Sequence, residues 1–192
     1  MSDHPARPPH PTDGDILDVV DAHNQVIGQA TRREVHAQGL MHRSVHVFLL
    51  NPHGHLYIQQ RAADKDTFPG AHDSSAAGHV DAGEGYHEAA ARELREELGL
   101  APGQISHMMQ VGELGASAEN GWEHVRFYLA RTGHTPVPDP AEVAHGAFYP
   151  LDRVEDLIAS PACHFAPTFR ILYLFYATQL APKVASGEIF GP

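Results

Sequence analysis

The chain has 192 residues, 42% hydrophobic and 19% charged, which is enough apolar surface for one core and too little charge for a disordered polymer. Thirteen Lys and Arg against 24 Asp and Glu leave a formal charge of −11, which argues against binding to duplex nucleic acid or to an anionic membrane. A single cysteine, Cys163, excludes an internal disulfide framework and any multi-cysteine metal centre, and fits a reducing cytoplasm.

Residues 1–13 are rich in proline with almost nothing to bury, so they read as a disordered leader, with 14–192 as a single domain. No basic and apolar signal segment opens the chain, so export is not expected and a cytoplasmic location is. Ile16, Val19, Val20, Val26 and Ile27 flank the polar DAHNQ, which predicts a first hairpin. Thr31 is placed to cap a short helix over Arg32, Arg33, Glu34 and Val35 that ends near Gly39. Strand-like runs over 45–51 and 56–60, around Pro52–Gly54, predict a second hairpin. From Phe68 to Gly83 the sequence lacks apolar periodicity and is rich in Gly, Ser, Asp and His, the composition of a long specialised loop.

A helix is predicted over 86–98, where Ala90, Leu94 and Leu98 recur every four residues and Gly99 provides the stop. Further on, 105–113, 124–130 and 148–149 read as strands, and 153–159 and 168–180 as helices. The apolar run 169–181 is interrupted by Arg170 and Gln179 and is too short to span a bilayer. Its faces, around Ile171 to Leu180, suit either the pairing of two subunits into a homodimer or closure of the core. Strands interleaved with a few helices, without regular βαβ units, favour an α+β fold, an α/β/α sandwich around a mixed sheet.

The segment GHVDAGEGYHEAAARELREELGL carries Gly78, Glu84, Arg92, Glu93, Glu96, Glu97 and Gly99 in the pattern G-x5-E-x7-R-E-U-x-E-E-x-G-U, where U is apolar. At 3.6 residues per turn Glu93 and Glu97 stack on one helix face with Glu96 at its side. Like charges so spaced weaken a helix unless something compensates, and a hard divalent cation with oxygen ligands does so. Mg2+, or Mn2+ in its place, is therefore expected. Such an ion lets an acidic protein hold an anionic substrate. The plainer alternative is a solvated charged face with Arg92 and Arg95 as local ion-pair partners.

This pattern resembles the complete Nudix box, and the resemblance implies a Nudix fold and a hydrolase of phosphoric anhydrides. It implies that Glu93, Glu96 and Glu97 are metal ligands and catalytic residues, with the Gly78 carbonyl joining the metal shell. It also implies a supporting Glu84–Arg92 salt bridge. Glu97 or Glu93 could serve as base, and the resemblance does not choose between them.

Upstream, HRSVHVFLLNPHGHLYIQQRAADKDTFPG resembles the isopentenyl-diphosphate isomerase branch of the same superfamily, and the likeness covers roughly residues 15–180. It implies that Arg61 and Lys65 contact a substrate diphosphate, against ordinary surface charge as the alternative. It also places His42 and His79, with His36 less securely aligned, near histidines that bind the isomerase's catalytic metal. The isomerase thiol is replaced by Ala77, its acidic partner falls near Glu123 one place out of register, and Thr168 stands near its pocket aromatic.

These departures favour a hydrolase that cleaves a diphosphate linkage in a nucleoside diphosphate or a derivative of one by metal-activated water. The alternatives are an isomerase-like enzyme and a non-catalytic nucleotide sensor. Ser74 and Ser75 beside His72, Asp73 and His79 lack a nucleophile elbow and are not read as a triad. Cys163 beside His164 reads as a small buried hydrophobe without a role. Trp122, Phe127 and Tyr128 read as core more readily than as a base-stacking surface, and Glu142 is a candidate accessory acid or a loop cap.

Overall fold

A computed structural model describes residues 11–65 and 67–191. Pro11–Gly14 forms one 3-10 turn, so the last residues assigned to the leader are ordered. Arg32 holds this turn by donating from Nη1 to the Thr12 hydroxyl at 3.0 Å. Residues 1–10 of the expected leader lie outside the described residues. The first hairpin forms as predicted, with β1 (Ile16–Val20) antiparallel to β2 (Val26–Thr31). Thr31 then caps α1 (Arg32–Gln38) in a reciprocal capping box with Glu34, and Gly39 closes it in the left-handed conformation.

The second hairpin departs from expectation. β3 (His42–Leu50) and β4 (Leu56–Arg61) meet only at Leu50↔Leu56 and then diverge. The gap between them is filled from the segment predicted to be a loop, which contributes β5 (His72–Asp73) on β4 and β6 (Ala76–His79) antiparallel to β3. Local periodicity could not reveal these strands, because neither exceeds two pleat repeats and each is held by long-range pairing.

After α2 (Tyr86–Leu98), the chain adds β7 (His107–Leu114), β8 (Glu123–Arg131) and β9 (Val143–Tyr149), the last longer than its two predicted residues. β8 runs parallel to β3 over nine residue pairs, and the other pairings in this seven-stranded sheet are antiparallel. The sheet is mixed.

β3 is buried on both faces because the sheet is sandwiched. Val45, Val47 and Leu49 meet Ala90, Leu94 and Leu98 of α2 on one side. Phe48 and Leu50 meet Phe169, Leu172 and Tyr176 on the other, with Val154 of α3 (Leu151–Ala159). The predicted helix over 168–180 is α4 (Pro167–Phe175) followed by a π-helical turn, Tyr176–Leu180, and then α5 (Ala181–Ala185). Within the turn the Thr178 hydroxyl donates to the Leu174 carbonyl at 2.7 Å, an alternative to the α-helical ladder. Leu172, Tyr173, Tyr176 and Leu180 close the core, while Ile171 and Leu174 of the same segment stay exposed.

Candidate active site

The loop from β6 and the first turns of α2 face each other across Arg92. Its Nε and Nη2 donate to the two oxygens of Glu84 at 2.9 and 2.8 Å, and Nη2 also donates to the His79 carbonyl at 2.8 Å. Nη1 donates to Glu93 at 2.6 Å and to Glu96 at 3.3 Å. One planar guanidinium thus ties the β6 exit, the loop and the helix together, which a lysine could not do.

Glu93 and Glu97 are both buried, at 9% and 4% exposure, on the α2 face that meets β6. Glu97 accepts from the Ala77 backbone and from Gln59 Nε2, each at 3.1 Å. Burial, and then the charge of Glu93, push the Glu97 carboxyl well above the usual carboxylate range. Burial also raises Glu93, with Arg92 offsetting it only in part. Gly78 lies so close to Glu93 that a Cβ there would sit 2.0 Å from Oε1, so only glycine permits this approach. Glu96 is about half exposed at the rim, where it also accepts from Arg95 at 3.0 Å. Two buried carboxyls that burial raises, beside a bare backbone at Gly78, suit a hard cation.

These groups line a cavity of about 770 Å³ that also receives Arg61, Lys65 and Glu142. Neither predicted phosphate-binding cation stands alone. Arg61 donates to the Thr67 carbonyl at 3.1 Å and to Asp73 at 3.4 Å, and Lys65 is ion-paired with Glu142. An incoming phosphate would have to compete with these partners.

A second group of ligand-type side chains stands at the same cavity, with His36, His79 and Glu123 lining it and His42 buried beside them. Ring nitrogens of His36, His42 and His79 all lie within 4.8 Å of one another, with His36 Nε2 3.1 Å from His79 Nε2. Glu123 stands beside them, 3.8 Å from His42 and 3.7 Å from His79, because the parallel register sets His42 opposite Glu123. The strand register therefore brings in the acid that sequence spacing put one place out.

His42 directs Nδ1 at the Leu40 carbonyl at 2.9 Å and leaves Nε2 buried without a partner among the described residues, the arrangement of a ligating imidazole. Burial, then the neighbouring His79, lowers His42 to about 4. Glu123 is held at about 2, burial being outweighed first by the neighbouring His79. Arg32 donates to His79 Nδ1 at 3.4 Å, which leaves Nε2 to carry the proton of the neutral ring and opposes its use as a ligand.

The remaining sequence candidates separate. Ser75 is spent on backbone, accepting from Leu49 N and donating to the Tyr57 carbonyl, and Ser74, which bonds His46, is fully buried and does not line the cavity, so neither is placed to attack a substrate. Phe127 and Tyr128 are core, whereas Trp122 is partly exposed at the cavity wall with a left-handed φ of 66°. Cys163 packs against the core periphery. Sequence reading missed His46, Gln59 and Asp139 as members of this neighbourhood. His46 and Gln59 sit inside strand-like runs, which gave no sign of a cavity.

The NUDIX domain family profile matches residues 40–169. The chain is 48% identical over 167 residues to an uncharacterized Nudix hydrolase of Nostoc, covering 86% of this chain and 98% of that one. It is 46% identical over 143 residues to another of Streptomyces coelicolor, covering 73% and 77%. It is also 36% identical over 139 residues to an isopentenyl-diphosphate Delta-isomerase of Streptomyces griseus, covering 69% and 70%. Among solved structures, DR0079 of Deinococcus radiodurans superposes with a TM-score of 0.73 at 28% identity, covering 84% of this chain and 99% of that one.

Proposed function

The chain belongs to the Nudix family, and from that premise we propose that it is a hydrolase of diphosphate linkages, dependent on Mg2+ or on Mn2+ in its place, acting on a nucleoside diphosphate or a derivative of one. The observation that carries this reading is the pair Glu93 and Glu97, buried in a polar cavity with a single arginine, Arg92, hydrogen-bonded to Glu93. Glu93, Glu96 and Glu97 would hold the cation, with the Gly78 carbonyl adjoining. When bound, such a cation polarises a phosphoryl oxygen and lowers the pKa of a bound water.

The protein's own residues divide the remaining work. Glu84 and Arg92 fix the loop against the helix, so the carboxylates keep their spacing. Arg61 and Lys65 orient the phosphates once these displace Asp73 and Glu142. Glu97 or Glu93 accepts the proton of the water that attacks phosphorus, and the bond to the leaving phosphate oxygen breaks. One domain over 14–192 would carry this activity, and no described helix is long and apolar enough to cross a membrane.

Phosphate release from a panel of nucleoside diphosphates and their derivatives, with and without Mg2+, tests this reading. Glu97→Gln is expected to lower turnover at least 100-fold at saturating metal. Unchanged turnover would falsify the assignment, and metal-dependent binding without any turnover would make the protein a sensor. The cluster His36, His42, His79 and Glu123 favours a second reading, an isomerase-like enzyme. Against it, Ala77 offers no thiol where the isomerase needs one. Solvent deuterium entering isopentenyl diphosphate would decide for it.

A further inference from the structure

The sheet face toward α4 changes character along β3. Phe48 packs against Phe169, with ring centroids 5.4 Å apart, which fixes where β3 meets the first turn of α4. Two and four residues earlier on the same face stand His46 and Ser44, and one residue before Phe169 stands Thr168. All three line the cavity and all three are at least nine-tenths buried. The Ser44 hydroxyl has no hydrogen-bond partner among the described residues. A buried hydroxyl without a partner is costly, so this one is placed for something that enters the cavity.

His46 is held more tightly. Its Nδ1 lies 2.8 Å from the Ser74 hydroxyl, and Asp73 stands 3.9 Å away while also contacting Arg61 at 3.4 Å. The tautomer that gives the Ser74 hydroxyl an acceptor is the one with Nδ1 accepting, and in it the ring proton sits on Nε2. Burial lowers the ring below the usual imidazole range, which favours its neutral form, with Asp73 opposing. His46 therefore offers the cavity an uncharged N–H donor, positioned through Asp73 beside the cation expected to grip phosphate. A hydrocarbon tail lying here would leave the histidine and serine dry. A ring carrying hydroxyl or carbonyl groups would satisfy them.

Resting on the diphosphate-hydrolase reading, we propose that Ser44, His46 and Thr168 form a specificity wall that hydrogen-bonds the organic group of the substrate, selecting nucleoside diphosphates over alkyl diphosphates. Sites built to hydrogen-bond a polar group discriminate steeply against analogues that lack it.

Equilibrium binding of three non-hydrolysable probes in Mg2+ tests this without requiring turnover. The probes are α,β-methylene-ADP, the methylenebisphosphonate of a saturated five-carbon alcohol, and methylenediphosphonate as the tail-less reference. The wild-type protein is expected to bind the nucleotide at least tenfold more tightly than the alkyl probe. Ser44→Ala, which breaks no internal hydrogen bond among the described residues, and Thr168→Val should each cut that margin several-fold, and His46→Phe about tenfold. Thermal melts establish that each variant is folded, and Ser44→Ala decides if His46→Phe is not.

Equal or tighter binding of the alkyl probe, no binding of any probe, or a margin unmoved by Ser44→Ala and Thr168→Val would overturn the proposal. Turnover of ADP is followed separately. Its absence with the margin intact defeats the hydrolase reading alone, and turnover without the margin defeats the wall alone.

Discussion

Glu93, Glu96 and Glu97 are one residue type within five positions, yet their surroundings give them three different environments. Glu96 is half exposed between Arg92 and Arg95, Glu93 is buried against Arg92, and Glu97 is sealed under Gln59 and the Ala77 amide. Spacing alone predicted that Glu93 and Glu97 share a face. It could not predict which is the more buried, because the seal comes from strands 20 to 40 residues upstream. Gly78 shows the same dependence. Replacing it by alanine puts a Cβ against the Glu93 carboxylate, whose other side is pinned by Arg92 at 2.6 Å. Gly78→Ala is therefore expected to cost about 1–3 kcal/mol of stability and to weaken Mg2+ binding at least tenfold. Calorimetric titration beside a denaturant melt measures both, and wild-type affinity in the variant would remove Gly78 from the site.

At the scale of elements, α1 and α2 were legible because caps and apolar period agreed with each other and with the fold. Thr31 and Gly39 bound one, and Gly99, with φ of 65°, ends the other by donating its N–H to carbonyls of the last turn. An alanine at Gly99 would adopt that φ at a cost and bring its Cβ to 3.0 Å from the Val137 carbonyl. Gly99→Ala is expected to lose about 1–2 kcal/mol, seen as a Tm lower by several degrees, with the substrate probes still bound. An unchanged Tm would mean that the segment after the helix is not held as described. β5 and β6 were illegible for the opposite reason, since their backbone partners lie on β3 and β4 and their own side chains are small or polar.

For the whole molecule, bringing histidines from α1, β3 and β6 beside Glu123 of β8 makes acid stability a tertiary property. His42 titrates near its ordinary 6.5 in the unfolded chain and at about 4 in the fold. Between those values the unfolded state binds the extra proton, so stability falls as pH drops from about 7 toward 4. In EDTA-treated protein this residue accounts for a loss of about 3 kcal/mol over that window. His42→Gln should flatten the decline in Tm against pH. A decline as steep in the variant as in wild type would assign it to other groups.

The family, the box helix and the capped elements were legible in the sequence alone, as was the face that Glu93 and Glu97 share, because those signals are local: fixed spacings, caps and one helical period. The sequence also carried the mixed α+β architecture, since the alternation of strand and helix patterns survives any uncertainty in register. The tertiary structure decided what spacing cannot encode. The divergence of β3 from β4 admits β6 and opens the cavity, and the parallel register of β8 sets Glu123 among the histidines. The approach of α4 then turns Ser44 and His46 from residues of an apolar-looking strand into a polar wall. Each of these depends on pairing between segments tens of residues apart, where the free energy lies in contacts that no single window of sequence contains.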